Sequence, residues 1–159
     1  MNFAKVEKCD VVNGTGIRVS LFVSGCRNNC KGCYNKIAQD FKFGNKFTDQ
    51  IMLEILEYLS NEYVSGLSIL GGEPMDEKNV EEVANIVSIV RHRLPTKNIW
   101  LWSGYTLEQL QSRECASTNY ILSNIDVLVD GPFVEALKDP TLKFRGSSNQ
   151  RILQQGIDF

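Results

Sequence analysis

The sequence predicts an α/β protein whose mainly parallel sheet forms a partial, laterally open (β/α) barrel. Short apolar segments alternate with helical patterns along the chain, and strands separated by helices are joined by right-handed crossovers that make the sheet parallel. The 159 residues, 43% of them hydrophobic, suit one compact domain over residues 1–159. An eight-fold barrel is excluded because it takes about 250 residues.

The first predicted elements are a strand and a helix. The segment from Ile17 to Val23 alternates apolar and polar residues and then becomes continuously apolar, as a strand entering a covered sheet does. Thr48 is a good helix N-cap. Apolar residues follow it at helical spacing: Ile51, Ile55, Leu59 and Tyr63. This pattern predicts a helix from residue 48 that Gly66 ends.

The second predicted strand and helix follow directly. Leu67 to Leu70 is a short apolar strand, and the turn Gly71-Gly72-Glu73-Pro74 ends it. Apolar residues then recur every three or four positions up to Pro95: Val80, Val83, Val87, Val90 and Leu94. This periodicity predicts a helix that the proline stops.

Two more strands complete the pattern. Ile99 to Trp102 is the third strand, and Ser103-Gly104-Tyr105 leads into a short helix near Thr106 to Gln111. Ile125 to Val129 is the fourth strand, closed by Asp130-Gly131-Pro132, and the chain beyond residue 133 is predicted to be irregular. Loops that follow parallel strands emerge at one edge of the sheet, so we expect the functional site at that edge.

The loop after the first strand carries a metal-binding pattern. Cys26, Cys30 and Cys33 have the spacing C-x-x-x-C-x-x-C. Thiolates bind soft metals, and a closed structural site takes four protein ligands, so three cysteines leave one position open for a small molecule. From spacing alone, a zinc site completed by Cys9 or His92 is the alternative.

Composition narrows the classes of function. The net charge of −2 comes without a basic stripe, so nucleic acid is not an expected partner. No apolar run has the length of a membrane span or the features of a signal peptide. The cysteine count of five is odd, which favours metal binding in the reducing cytosol over disulfides. Cys9 and Cys115 are interpreted as small buried residues, and His92 as a surface residue.

Two motifs together resemble a known superfamily. The cysteine loop resembles the signature of radical S-adenosylmethionine (SAM) enzymes, and the turn Gly71-Gly72-Glu73 resembles their methionine-binding turn. Over residues 3 to 153 the chain is more closely similar to the small activating proteins of anaerobic (class III) ribonucleotide reductase. The segments that carry this resemblance are Val12-Asn13-Gly14 with Gly16, Leu21 to Cys26, Gly32 to Asn35, Ile99 to Tyr105, Asp130-Gly131 and Arg145 to Gln150.

The resemblance implies a cofactor arrangement. Cys26, Cys30 and Cys33 would hold a 4Fe-4S cluster, and the amino and carboxylate groups of SAM would chelate its fourth iron. Reductive cleavage would yield methionine and a 5′-deoxyadenosyl radical. The residues implied to contact the cofactor are Gly32, Cys33, Tyr34, Gly71, Gly72, Glu73 and Ser103. Many radical SAM enzymes have an aromatic residue where this chain has Gly32, and here the aromatic residue comes later, at Tyr34.

The resemblance also implies a protein partner. So short a chain has little material for a lid, and a glycine loop of the partner would enter the open side of the barrel. The expected partner is anaerobic ribonucleoside-triphosphate reductase, in a tight complex and activated by a glycyl radical, with a low-potential electron donor such as flavodoxin. The alternatives are activation of another glycyl-radical enzyme, such as pyruvate formate-lyase, and a non-catalytic zinc-binding interaction module.

Overall fold

A computed structural model describes residues 1–159, with one sheet and helices packed against it. The strands are β1 (Asn2–Asp10), β2 (Ile17–Val23), β3 (Asn45–Lys46), β4 (Val64–Gly71), β5 (Asn98–Trp102), β6 (Val127–Asp130) and β7 (Arg151–Gln154). The helices are α1 (Asp49–Leu59), α2 (Val80–Arg93), α3 (Leu107–Gln111) and α4 (Ala116–Asn124), with 3₁₀ helices at Lys36–Gln39 and Glu135–Leu137. No helix has the length and apolar character of a membrane span.

The seven strands lie in the order β3-β1-β2-β4-β5-β6-β7. The pairs β2-β4, β4-β5 and β5-β6 are parallel. The outer strands β1, β3 and β7 pair antiparallel with their neighbours, and the two-residue β3 pairs only with the start of β1. The predicted α/β class and the parallel arrangement of the four central strands are confirmed, and the loops after these strands share one end of the sheet.

The two faces of the sheet differ in chemistry. One face packs against the helices in the main hydrophobic core, whose members include Leu21, Ile69, Ile55, Val87 and Ile121. The other face carries a smaller cluster of Trp100, Val127 and Val129, with Trp102, Phe144 and Ile152 packed against it. The helices therefore cover one face, while the segment around residue 144 contacts the opposite one.

A buried arginine lies on this second face. Arg18 is fully buried and donates to the Ser68 hydroxyl at 2.6 Å and the Leu67 carbonyl at 2.7 Å. Its guanidinium also faces the Trp100 ring at 5.4 Å. Burial lowers its pKa to about 10. The hydrogen bonds compensate for the desolvation of the charge, so we interpret Arg18 as a structural residue that joins β2 to β4.

Several predicted boundaries were wrong. Helix α1 begins after the Thr48 cap as predicted but ends at Leu59, and Tyr63 is exposed outside it. Gly66 does not end the helix; it lies inside β4, where a Cβ atom would come within 1.9 Å of the Asn98 carbonyl oxygen. The fourth predicted strand is displaced to 127–130 because Ile125 caps α4.

Several elements outside the central strands and the two main helices were not predicted. Strand β1 and the short β3 were not predicted, nor was α4. The chain beyond Phe133 is not irregular throughout, because it forms a 3₁₀ helix and the strand β7. Arg151 fixes β7 by donating to both carboxylate oxygens of the buried Asp130 and by pairing with Glu108.

Candidate functional site

A cavity of about 430 Å³ lies where the central parallel strands end. Such a volume suits a small-molecule site. It is lined by every residue that the sequence predicts as a cluster ligand or a cofactor contact: Cys26, Cys30, Gly32, Cys33, Tyr34, Gly71, Gly72, Glu73 and Ser103. The folding of successive strands thus brings three separate loops together around one space, although the role of each residue remains a prediction.

The cysteine loop is anchored by main-chain hydrogen bonds. Gly25 has a positive φ of 96°, which favours glycine, and its N–H donates to the Ala38 carbonyl at 2.7 Å. The Cys26 N–H donates to the Gln39 carbonyl at 3.1 Å, and the Glu73 N–H donates to the Gly25 carbonyl at 2.8 Å. The loop leaves β2 in a fixed direction as a result.

A buried asparagine that the sequence reading did not select reinforces this anchor. The Asn79 side-chain amide donates to the carbonyls of Ser24 at 3.0 Å and Glu73 at 3.0 Å, with a longer contact to Gly25 at 3.4 Å. Asn79 is 1% exposed. Its position directly before the periodic residues of α2 was the available signal, but it reads there as an ordinary helix-capping residue.

The two glycines of the turn after β4 are required by the backbone itself. Gly71 has a φ of 111°, and its Cβ atom would lie 2.6 Å from the Val23 carbonyl oxygen. A Cβ atom on Gly72 would lie 2.6 Å from the Gly25 carbonyl oxygen. Without side chains, the turn can lie close to the end of β2, where the Gly72 N–H donates to the Val23 carbonyl at 2.8 Å.

Glu73 joins three loops through its fully buried carboxylate. Oε1 accepts from the Ser103 hydroxyl at 2.8 Å and the Met75 N–H at 3.0 Å. Oε2 accepts from the Gly104 N–H at 2.7 Å and the Asn28 amide at 2.8 Å. Burial raises the pKa of Glu73 above its ordinary value, while these hydrogen bonds oppose the rise.

The carboxylate of Glu73 is therefore fully used within the protein. An ionised carboxylate offers about four lone-pair sites, and four protein donors occupy them. The resemblance implies that this residue contacts the cofactor. In the structure, its carboxylate fastens the cysteine loop and the turn after β5 to its own turn.

The three cysteines have a chemistry suited to a cationic centre. Each is a free, half-buried thiol. Burial, the largest influence, raises the pKa of Cys26 to about 11, with the nearby Glu73 adding to the rise. A cationic metal centre would offset this by stabilising the thiolate. The structure groups no three His, Cys, Asp or Glu side chains closely enough to hold a metal ion. All three cysteines line the same cavity, and thiolates are the ligands that iron–sulfur clusters take.

The opposite side of the cavity is formed by the segment 133–150, which the sequence reading left outside the site. Its lining residues are Phe133, Lys138, Asp139, Pro140, Leu142, Arg145, Gly146 and Gln150. Glu135 reaches the cysteine loop, pairing with Lys31 at 3.4 Å. A Cβ atom on Gly32 would lie 2.7 Å from the Glu135 carboxylate. The chain therefore supplies more of the enclosure than its length suggested.

The remaining candidate residues have mixed outcomes. Tyr34 is fully exposed at the cavity mouth. Two aromatic residues near the end of β5 differ in position: Trp102 lines the cavity, whereas Tyr105 packs beside Arg113 with 4.0 Å between the guanidinium and the ring centre. The interpretation of Cys9 as buried was wrong, because it is exposed near the end of β1. Cys115 is half-buried. His92 is exposed, as predicted.

Known proteins match this chain over most of its length. Residues 12–153 match the family model described as a 4Fe-4S single cluster domain. A protein of Enterobacteria phage T4, named anaerobic ribonucleoside-triphosphate reductase-activating protein, is 42% identical over 153 residues, covering 96% of this chain and 93% of that protein. Identically named proteins of Vibrio cholerae and Escherichia coli are 43% and 41% identical, covering 96% and 94% of this chain and 97% and 96% of their own lengths.

The chain belongs to the family of anaerobic ribonucleoside-triphosphate reductase-activating proteins. The resemblance seen in the sequence is thereby confirmed at the level of the family. The match to the cluster-domain model spans the cysteine loop, the glycine turn and the segment 133–150. An iron–sulfur cluster is therefore the metal group that this family membership supports.

Proposed function

We propose that this chain is a radical SAM activating enzyme that generates a glycyl radical on anaerobic ribonucleotide reductase. The observation that carries the proposal is the single cavity that joins the three-cysteine loop to the Gly71-Gly72 turn. Three thiolates leave one ligand position open, and the cavity beside them has the volume of a small-molecule site. The names of the relatives support the reductase as the partner.

The residues have distinct roles in this proposal. Cys26, Cys30 and Cys33 would hold the cluster, and a reduced cluster would supply the electron for cleavage of SAM to methionine and a 5′-deoxyadenosyl radical. The proposed SAM contacts are Gly32, Cys33, Tyr34, Gly71, Gly72, Glu73 and Ser103, all of which line the cavity. Glu73 acts there through its hydrogen bonds, because it fixes the positions of the surrounding loops.

The proposal extends to the architecture and the partners. We assign the fold as a single radical SAM domain over residues 1–159, with its four parallel strands forming the partial barrel. The cavity mouth beside the exposed Tyr34 would admit a glycine-bearing loop of the reductase. A low-potential donor such as flavodoxin would reduce the cluster, and the cytosol is the expected compartment because all the cysteines are free.

Anaerobic reconstitution with iron and sulfide tests the cofactor chemistry. The reduced protein is expected to give an electron paramagnetic resonance signal of a cluster, and SAM is expected to shift it. Methionine and 5′-deoxyadenosine should then form in equal amounts. A protein that binds zinc in these cysteines and shows no cluster signal would contradict the proposal and support the zinc-binding interaction module.

A second experiment tests the partner. The reduced, SAM-loaded protein is mixed separately with anaerobic ribonucleotide reductase and with pyruvate formate-lyase. The doublet signal of a glycyl radical is expected on the reductase only. A glycyl radical on pyruvate formate-lyase, with none on the reductase, would transfer the assignment to the other enzyme while leaving the cofactor chemistry intact.

A further inference from the structure

Arg145 lines the cavity, and most of its guanidinium donors have no acceptor within the chain. Its Nη1 donates to the Gln150 carbonyl at 2.6 Å. Its Nε is buried and has no hydrogen-bond partner, and no carboxylate forms a salt bridge with the guanidinium. A buried N–H of a charged group without an acceptor is costly, so an acceptor from outside the chain would stabilise this arrangement.

The backbone that presents this arginine is held in a rare conformation. Phe144 has a φ of 62°, which is unusual for a bulky residue. The Trp102 indole N–H donates to the Phe144 carbonyl at 2.7 Å, and the Phe144 ring packs edge-on against Trp100 with centroids 5.3 Å apart. On the other side, the Gly146 N–H donates to the Gln150 side chain at 2.8 Å. These contacts maintain a strained backbone next to Arg145, as is typical of functional sites.

The other charged groups of the cavity do not supply the missing acceptor. Glu73 already accepts four hydrogen bonds. Asp139 accepts from both the N–H and the hydroxyl of Thr141, at 2.9 and 2.6 Å. Lys138, the remaining charged residue of the lining, is a second cation. Both hydrogen bonds from Thr141 go to Oδ1 of Asp139, and neither this carboxylate nor Glu73 forms a salt bridge with Arg145. The segment 133–150 thus presents a guanidinium to the cavity that no carboxylate of the lining pairs with.

We propose that Arg145 binds the carboxylate of the methionine moiety of SAM. The inference rests on the proposed function, since it names a further contact for the same cofactor. A guanidinium pairs well with a carboxylate through two parallel N–H donors. Arg145 lines the cavity, and its Nη2 donates to no group of the chain, since its one hydrogen bond comes from Nη1. An unpaired terminal nitrogen inside a cavity of small-molecule size favours a small ligand over an acidic side chain of a protein partner.

Binding of SAM to cluster-loaded variants tests this assignment. Arg145→Gln is expected to weaken SAM binding about ten- to a hundred-fold in anaerobic equilibrium dialysis. Arg145→Lys should be intermediate. The matched control is Lys143→Gln, which removes the charge of an exposed neighbour outside the cavity lining and should leave binding unchanged. Circular dichroism and cluster content establish that the variants remain folded and loaded.

Decarboxylated SAM separates ligand binding from a structural role. The wild type should bind this analogue more weakly than Arg145→Gln binds SAM, because the analogue also lacks the carboxylate proposed to bind the iron. The substitution should then cause no further loss of binding to the analogue. An equal loss for both ligands, or unchanged SAM binding, would overturn the proposal. Unchanged SAM binding with a weakened reductase complex would assign the arginine to the protein partner. Failure of the wild type to bind SAM would instead overturn the proposed function itself.

Discussion

The two sides of the cavity are built by different means. The cysteine wall, residues 24–35 and 71–73, is fixed by main-chain hydrogen bonds at the ends of β2 and β4 and by the buried Asn79 and Glu73. The tail wall, residues 133–150, is held mainly by side chains, through Trp102 and the Lys31–Glu135 pair, with β7 following it. The first wall follows from the parallel sheet, whereas the second depends on a few contacts across the cavity.

This difference bears on the proposed chemistry. The proposed cluster ligands lie on the wall that is fixed to the ends of the central strands. The wall held by fewer contacts can change its position with a smaller loss of stability, because local opening requires only local contacts to break. For stability, substitutions on the cysteine wall should therefore affect the whole fold, and those on the tail wall should affect the tail alone.

The largest expected effect is on the cysteine wall. Replacing any one of Cys26, Cys30 or Cys33 with Ala should abolish SAM cleavage while the fold is largely retained, since none of these side chains is in the hydrophobic core. Iron content and 5′-deoxyadenosine formation are measured. Cys115→Ala, outside the cavity, is the control and should retain both. Full activity in any of the three variants would remove that cysteine from the ligand set.

The next effect sharpens the contrast in stability. Glu73→Ala should lower the free energy of unfolding by about 3 kcal/mol, because the donors from Asn28, Ser103 and Gly104 lose their buried acceptor. Urea denaturation of the metal-free protein measures it. Glu77→Gln, whose side chain is 88% exposed, should change stability little. Equal stability of the two variants would mean that the cysteine wall does not depend on this carboxylate.

A smaller effect is expected on the tail wall. Trp102→Phe keeps an aromatic ring beside Trp100 but removes the hydrogen bond to the Phe144 carbonyl, which is worth about 1 kcal/mol. Hydrogen exchange of residues 139–150 should accelerate about five-fold, while that of β4 should not change. Acceleration throughout the sheet would show that the two walls are one cooperative unit.

The smallest effect concerns pH. Arg151 lowers the pKa of Glu108 to about 2 from 4.5. A lowered pKa in the folded state stabilises the protein above pH 4.5, and this contribution is lost as the pH falls toward 2. Glu108 is exposed, so solvent screens the pair and the effect should be small. Thermal melts of Glu108→Gln should show a weaker acid dependence than wild type, and parallel curves would contradict it.

The sequence was sufficient to predict the cysteine wall of the cavity but not the tail wall. The central strands and two main helices have strong periodicity, and the cysteine and glycine motifs lie where those strands end. The tail has no such period, because its residues are placed by distant partners such as the pairing of Asp130 with Arg151. In the sequence, Arg145 stood out only as part of the segment Arg145 to Gln150 that resembles the family. Its place in the cavity could not be predicted, because it depends on the conformation of Phe144.

Asn79 and β1 illustrate the same physical limit. Asn79 acts through carbonyls up to 55 residues away in the chain, and a side-chain amide before a helix gives no sign of such partners. Strand β1 alternates only weakly, because beyond its first residues it has a neighbouring strand on one side alone and its burial pattern is mixed. Elements defined by long-range pairing are the ones that local patterns could not predict.

The glycine before the third cysteine has an evolutionary consequence. Gly32 has a φ of 71°, and a side chain there would displace the Glu135 carboxylate from its pair with Lys31. A homologue with an aromatic residue at position 32 must therefore rearrange position 135 or give up the contact between the two walls. We expect positions 32 and 135 to covary across the family. Homologues with glycine at position 32 should keep the contact between the two walls, and homologues with a larger residue there should have a more open cavity.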